Sequence, residues 1–291
     1  MFEHILVCSD SSEQALLAAQ IAAEIAKRFG SETLLLSVLP LTPYMEVWEM
    51  GIDGEVLKEW AQAVHADVRQ HTLPCLDQAG VPCRVRGEIG QPVETILRIA
   101  AGEHADLIVL GNRGLSAWKA LLIGSVSEGV LHHAACPVLI ARGAHAAGKP
   151  AGFRKILLAT DGSDGAGKAA QMAAALAGKF DAALVALSVF HPQAVYPGVS
   201  KEDLEPEVYA ERVRVKVAER TAEALSKLDA RYTFRQETGH PAEKIVQIAA
   251  EEDFDLIVLG RRGLGGFQAM LLGSVSDRVA HHAPCPVLVV R

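Results

Sequence analysis

Two apolar periodicities alternate along this chain, and together they predict its elements. Ile5–Ser9 is a short apolar run with the length of a buried strand. Glu13–Phe29 follows with Leu16, Leu17, Ile21 and Ile25 on one side, the spacing of an amphipathic helix. Thr33–Leu39 reads as a second strand. From about Glu55 to Ala79 the residues Val56, Trp60, Val64 and Val68 recur every four positions, which predicts a long helix that Pro74 should kink or end. Cys83–Glu88 is a third strand. Pro92 opens a helix at a position where a missing N–H costs nothing. Leu107–Leu110 and Pro137–Ala141 complete the set. The unbroken Leu-Ile-Val-Leu run predicts a strand covered on both faces, hence a parallel sheet with helices on either side.

The same order is then repeated. Residues 4–12, HILVCSDSS, return as KILLATDGS at 155–163, and DLIVLGNRGL at 106–115 returns as DLIVLGRRGL at 255–264. Over 105–142 against 254–291, 24 of 38 positions are identical. A period this long is a duplicated domain rather than a solenoid. The segment between the copies, GAHAAGKPAG, is Gly- and Ala-rich without periodicity. The expected organisation is therefore domain 1 over residues 1–142, a linker over 143–152 and domain 2 over 153–291.

Composition narrows the class. The 291 residues are 50% hydrophobic, 22% charged and 5% aromatic, and suit a soluble globular protein. The formal net charge of −7 argues against a nucleic-acid partner held by bulk positive charge, although a local site for a phosphorylated ligand remains compatible with it. No apolar run is long enough to span a bilayer, and Met1-Phe2-Glu3-His4 lacks the basic start of a secretory leader. Five cysteines without a CxxC pair suit a reducing compartment. A cytoplasmic protein without a membrane or nucleic-acid partner is expected.

The most informative motif follows the fourth strand. Copy one carries Gly111-Asn112-Arg113-Gly114, nine residues, then Gly124-Ser125. Copy two carries Gly260-Arg261-Arg262-Gly263, nine residues, then Gly273-Ser274. Glycines let backbone N–H groups approach an anion, and the helix after each Gly-Ser offers free N–H groups and a positive dipole end. Ligands of open α/β sheets bind at such strand ends. Arg113 and Arg262 could neutralise phosphate, or be ordinary solvated arginines. Ser125-x-x-Glu128 and Ser274-x-x-Asp277 also read as capping boxes, and the glycines could be plain turns. At the end of the first strand, Asp10 and Asp161 could face a ribose, an adenine amine or a phosphate-bound Mg²⁺, or belong to the helix cap. Val38 and Val189, ending the second strand, could pack on a base or on the core.

Other motifs carry less. Gly162 to Ala169 nearly matches the Walker A loop, but Ala169 replaces the hydroxyl that would hold Mg²⁺ and copy one has no equivalent. GxGxxG is absent after either first strand. His132-His133 and His281-His282 are adjacent on helices, where side chains diverge by about 100° and chelate poorly. No catalytic triad can be assembled. The apolar connector from Pro40 to Met50 and the Pro-rich one from Pro192 to Pro206 could be lids, partner surfaces or packing.

With these residues in place, the chain resembles the universal stress protein family in its tandem form. The strand ending in Asp, the G-x2-G-x9-G-S loop and the closing Cys-Pro-Val-Leu strand carry the resemblance over nearly the whole length, twice. It implies an α/β fold: two tandem five-stranded parallel sheets of order 3-2-1-4-5 with helices on both faces, Rossmann-like and of the adenine nucleotide α-hydrolase type. The loop is similar to that of the ATP-binding branch. That implies ATP, ADP or AMP as ligand, with Mg²⁺ a candidate companion. The sites implied are Asp10, Val38, Gly111, Arg113, Gly114, Gly124 and Ser125, and Asp161, Val189, Gly260, Arg262, Gly263, Gly273 and Ser274. Copy two, with Asp-Gly-Ser where copy one has Asp-Ser-Ser, is the closer match and the favoured site. The resemblance also implies pairing through the fifth strands, making the two domains an intrachain pseudo-dimer, with a homodimer as a further form. The expected function is stress response or signalling through nucleotide-dependent conformation or choice of a protein partner. A slow ATPase and a nucleotide-independent, chaperone-like interaction module are the alternatives.

Overall fold

The computed structural model describes residues 1–40, 54–114, 123–143, 152–192, 196, 205–226, 230–264 and 272–291. Most of both apolar connectors and of the predicted linker lies outside the described residues. The chain divides into two compact units, Met1–Ala151 and Gly152–Arg291, called here domains 1 and 2.

Domain 1 runs β1 (His4–Cys8), α1 (Glu13–Phe29), β2 (Glu32–Pro40), α2 (Gly54–Asp77), β3 (Cys83–Gly90), α3 (Pro92–Gly102), β4 (Leu107–Gly111), α4 (Ser125–His133) and β5 (Val138–Ala141). Its strands are all parallel in the order β3-β2-β1-β4-β5. Domain 2 repeats this with β6 (Lys155–Ala159), α5 (Asp164–Phe180), β7 (Ala183–Phe190), α6 (Pro206–Ser226), β8 (Tyr232–Thr238), α7 (Pro241–Glu251), β9 (Leu256–Gly260), α8 (Ser274–His282) and β10 (Val287–Val290). Its order is β8-β7-β6-β9-β10, again parallel. Within each domain the first two helices pack together, as do the last two, so both sheet faces are covered.

The apolar run of β4 is buried throughout, as its composition demands. Each such side chain contributes roughly 1.5–3 kcal/mol by leaving water. The α1 helix starts at Ser12, whose hydroxyl accepts the Ala15 N–H at 3.2 Å, and stops at Gly30, which takes the left-handed conformation at φ 72°. In α5 the same offices fall to Ser163 and Asp181. Pro74 does not end α2: the helix continues to Asp77. A proline inside a helix removes one backbone bond, and here the following turn is restored by Gln78 N–H donating to the Pro74 carbonyl at 3.0 Å.

The aspartate preceding β4 is part of the architecture. Asp106 accepts the backbone N–H groups of Glu3 at 2.6 Å and His4 at 3.2 Å, and Asp255 accepts those of Arg154 and Lys155 at 2.8 and 2.9 Å. A side chain on one strand entry thus satisfies donors at its neighbour's. The outer strands β3 and β8 carry charge that discourages edge pairing: Arg86 pairs with Glu88 and Glu103, and Arg235 with Glu237 and Glu252. Among the described residues no helix is long and apolar enough to cross a membrane.

Candidate functional site

In domain 1, β1 lies between β2 and β4, so chain direction diverges at its carboxyl end, where crevices of open α/β sheets form. A cavity of 640 Å³ opens there. Small-molecule sites span roughly 300–1,000 Å³. Its lining includes Asp10, Val38, Gly111, Arg113, Gly114, Gly124 and Ser125, so all seven candidates of copy one meet at one place. The rest of the wall is mostly apolar: Leu36, Leu39 and Pro40 of β2, Val64 and Val68 of α2, and Ile96 of α3. Those helix residues were hidden from sequence reasoning, because a repeating valine on a helix looks the same whether it faces a core or a cavity.

The glycines have different physical reasons. A Cβ on Gly111 would stand 2.7 Å from the Gln14 backbone, so this glycine lets the first turn of α1 close on β4. Gly260 serves the same end, with the Gly165 backbone at 2.7 Å. A Cβ on Gly114 would collide with the Asp10 carboxylate, and one on Gly263 with that of Asp161. The second glycine of each motif therefore admits the aspartate of the first strand. Gly124 is freer, with its nearest neighbours at 3.5 Å.

Asp10 does not cap α1. Its Oδ1 accepts the Ser12 N–H at 3.1 Å, and Ser12 is the cap. Ser12 also reaches the loop, its hydroxyl donating to the Arg113 carbonyl at 3.3 Å. In domain 2, Asp161 accepts the Ser163 N–H at 3.0 Å and, through its other oxygen, the Leu264 N–H of the glycine loop at 2.7 Å.

The capping-box reading of Ser125 and Ser274 is corrected. The caps are Gly124 and Gly273, in extended conformation and with no side-chain cap bond. Each serine is the first helical residue, one position too late to bond back to the turn. The residue that anchors the helix is Ser127, whose hydroxyl donates to the Gly111 carbonyl at 2.6 Å, while its counterpart Ser276 donates one residue further along the loop, to the Arg261 carbonyl at 2.7 Å. Its signal in the sequence is the repeated Gly-Ser-Val-Ser, whose second serine looks like an ordinary helix residue. The first N–H groups of α4 therefore meet the cavity beside Ser125 without a side-chain acceptor from the cap.

Among the described residues, three buried oxygens near the domain 1 site but outside its lining, Ser11 Oγ, Gln14 Oε1 and Asn112 Oδ1, have no hydrogen-bond partner. Buried polar atoms left in this way are costly. Nearby, the Ser37 hydroxyl and His65 Nδ1 lie 2.5 Å apart, and burial pulls the His65 pKa down against the opposing Glu88 carboxylate. The Cys8 thiol at the cavity wall is pushed up to about 12 by burial, reinforced by Cys136.

The remaining motifs do not join the site. The Walker-like stretch is helical from Asp164, so Gly165, Gly167 and Lys168 lie inside α5 rather than in a phosphate loop. The paired histidine rings stand 6.4 Å and 6.3 Å apart, and His133 and His281 bond through Nδ1 to carbonyls of their own helices. Among the described residues no group of three His, Cys, Asp or Glu side chains could hold a metal ion.

A family model described as the universal stress protein family matches residues 1–142 and again 152–291. The chain belongs to the universal stress protein family. A universal stress protein of Mycolicibacterium smegmatis is 34% identical, covering 99% of this chain and 96% of the relative. Universal stress protein Rv2623 of Mycobacterium tuberculosis is 30% identical, covering 93% of each. Among solved structures, a universal stress protein from Archaeoglobus fulgidus superposes with a TM-score of 0.69 at 28% identity, over 99% of this chain and 96% of that one. These similarities run through both domains, so the tandem form is shared.

The two Usp domains differ at their candidate sites. In domain 2, Asp161 borders a void of 10 Å³ together with Tyr196, Val213, Val217 and Leu264. Gly263 and Ser274 are exposed and Val189 and Gly273 half-buried, as are their counterparts Gly114, Ser125, Val38 and Gly124. Arg261, which replaces Asn112, is lowered to about 10 by burial and by the neighbouring charges of Arg291 and Arg262.

Proposed function

We propose that this tandem universal stress protein binds an adenine nucleotide in domain 1, and that the bound state sets its conformation or its choice of protein partner in the cytoplasm. The observation that carries this reading is the meeting of Asp10, Val38, Gly114, Gly124 and Ser125 around one 640 Å³ cavity with an apolar wall and a polar rim. Val38, Leu39, Val64 and Val68 would hold the flat, weakly polar base. Asp10 would accept from ribose hydroxyls, or carry an accompanying Mg²⁺. The N–H groups at the start of α4, the Ser125 hydroxyl and the Arg113 guanidinium would take the phosphates. The nucleotide supplies an exchangeable charge whose size changes with phosphate number. A conformation that holds one form better than another is populated accordingly.

Calorimetric titration of nucleotide-stripped protein with ATP, ADP and AMP tests this. Saturable binding that is lost in Gly114→Val is expected. Absence of binding to the stripped protein overturns the function, and undiminished binding in Gly114→Val overturns the site.

A further inference from the structure

In domain 2 a tyrosine from the connector after β7 packs on the helix residues that correspond to the cavity wall of domain 1. The hydroxyl bonds Ser9–Thr72 and Thr160–Thr221 place α2 and α6 in the same register on their sheets, so Val213 and Val217 stand where Val64 and Val68 line the open cavity. Against them lies Tyr196, from the connector after β7. It is 9% exposed and joins Phe190, Tyr209, Val213 and Val217 in one apolar cluster, with Leu264 of the glycine loop packed on it. Its ring stacks on Phe190 with centroids 5.6 Å apart and planes 16° from parallel. Its hydroxyl accepts the His191 N–H at 3.0 Å, and its own N–H donates to the Tyr209 hydroxyl at 3.2 Å. Both the ring and its backbone are thus held. Tyr196, Val213, Val217 and Leu264 border a void of 10 Å³ beside Asp161, about the least that holds one water.

We infer that Tyr196 is an internal occupant of the domain 2 site and the residue that limits this duplicated protein to one nucleotide per chain. A flat aromatic ring, stacked on the residue ending the second strand and backed by the valines of the long helix, takes the surroundings a purine would use. Burial, with the Asp161 carboxylate and Tyr209 adding to it, raises the phenol's pKa, so it stays neutral there. The glycine loop is also engaged, because Leu264 N–H already donates to Asp161. The nucleotide-binding reading of domain 1 underlies this inference.

Binding stoichiometry of the full chain with ATP tests it. One ATP per chain, lost in Gly114→Val and kept in Gly263→Val, is expected. Tyr196→Ala should raise the count to two, the second lost again on adding Gly263→Val, while Tyr196→Phe should stay at one. Two sites in the unaltered chain, or one that survives Gly114→Val, would overturn the occlusion but not nucleotide binding. No binding at all overturns the underlying reading. If Tyr196→Ala does not melt cooperatively, nitration of the unaltered protein decides. Tyr196 should resist tetranitromethane equally with and without ATP, as read by peptide mass spectrometry. ATP-dependent exposure of Tyr196 would mean that ATP enters domain 2, and would overturn the inference.

Discussion

The carboxylate of Asp10 occupies the space that any side chain at position 114 would need, and Asp161 stands in the same relation to Gly263. The end of the first strand and the loop after the fourth are thereby one unit, joined where only an α-hydrogen fits. Gly114→Ala should cost about 1–3 kcal/mol in the range of an overpacked site. Asp10→Ala in the same chain should return part of that loss, because the colliding group is gone. Urea unfolding of both single variants and the double variant checks this, with a coupling of about 0.5–3 kcal/mol expected for groups in contact. Additive losses would mean the loop moves aside instead.

Gly111→Ala should behave differently, since its obstacles are the backbone and the Cβ of Gln14, which alanine at position 14 keeps. Removing the rest of the Gln14 side chain cannot relieve them. The melting temperature should fall by a similar amount in Gly111→Ala and in Gly111→Ala with Gln14→Ala. Recovery in the double variant would contradict the close approach of α1 to β4.

The buried Cys8 thiol, at about 12, holds its proton far above the ordinary thiol value of 9.0. Iodoacetamide at pH 8 should leave Cys8 unlabelled in the folded chain, as read by mass spectrometry of the tryptic peptides. The sign for stability follows from linkage. The folded pKa is raised, so the contribution is complete below pH 9 and is lost as pH rises from 9 toward 12, by at most about 1.4 kcal/mol per pH unit for this one group. Cys8→Ala should flatten part of that decline in urea midpoints measured between pH 8 and 10.

His65 gives the opposite limb. Burial lowers its folded pKa from 6.5, so as pH falls through 6.5 the unfolded chain takes up a proton that the folded chain refuses. Stability should fall on that side, the loss ending once pH drops below the lowered folded value. His65→Gln, which keeps a polar partner near Ser37, should reduce the slope of urea midpoint against pH between 5 and 7. An unchanged slope would assign the acid limb to other groups.

The duplication, the alternation of strands and helices, the parallel sheets and the position of both glycine loops were legible in the residues alone. Local periodicity and turn chemistry set them, and repetition made each pattern visible twice. Glu13–Phe29 was bounded to the residue because its serine cap and glycine stop are local signals. Ser125 was misjudged as a cap because adjacent Gly and Ser can both precede a helix, and which one leaves helical geometry depends on where Ser127 finds its acceptor, 16 residues away at Gly111. The cavity of domain 1 was out of reach for a related reason. Asp161-Gly162-Ser163 is the better motif by inspection, yet the 640 Å³ cavity lies beside Asp10. Motif residues are short-range and survive duplication, whereas the volume they enclose depends on side chains from distant segments. In domain 1 Val64 and Val68 line that volume. In domain 2 their counterparts Val213 and Val217 pack with Tyr196, which stacks on Phe190, and only three-dimensional packing brings that ring to the end of the strand.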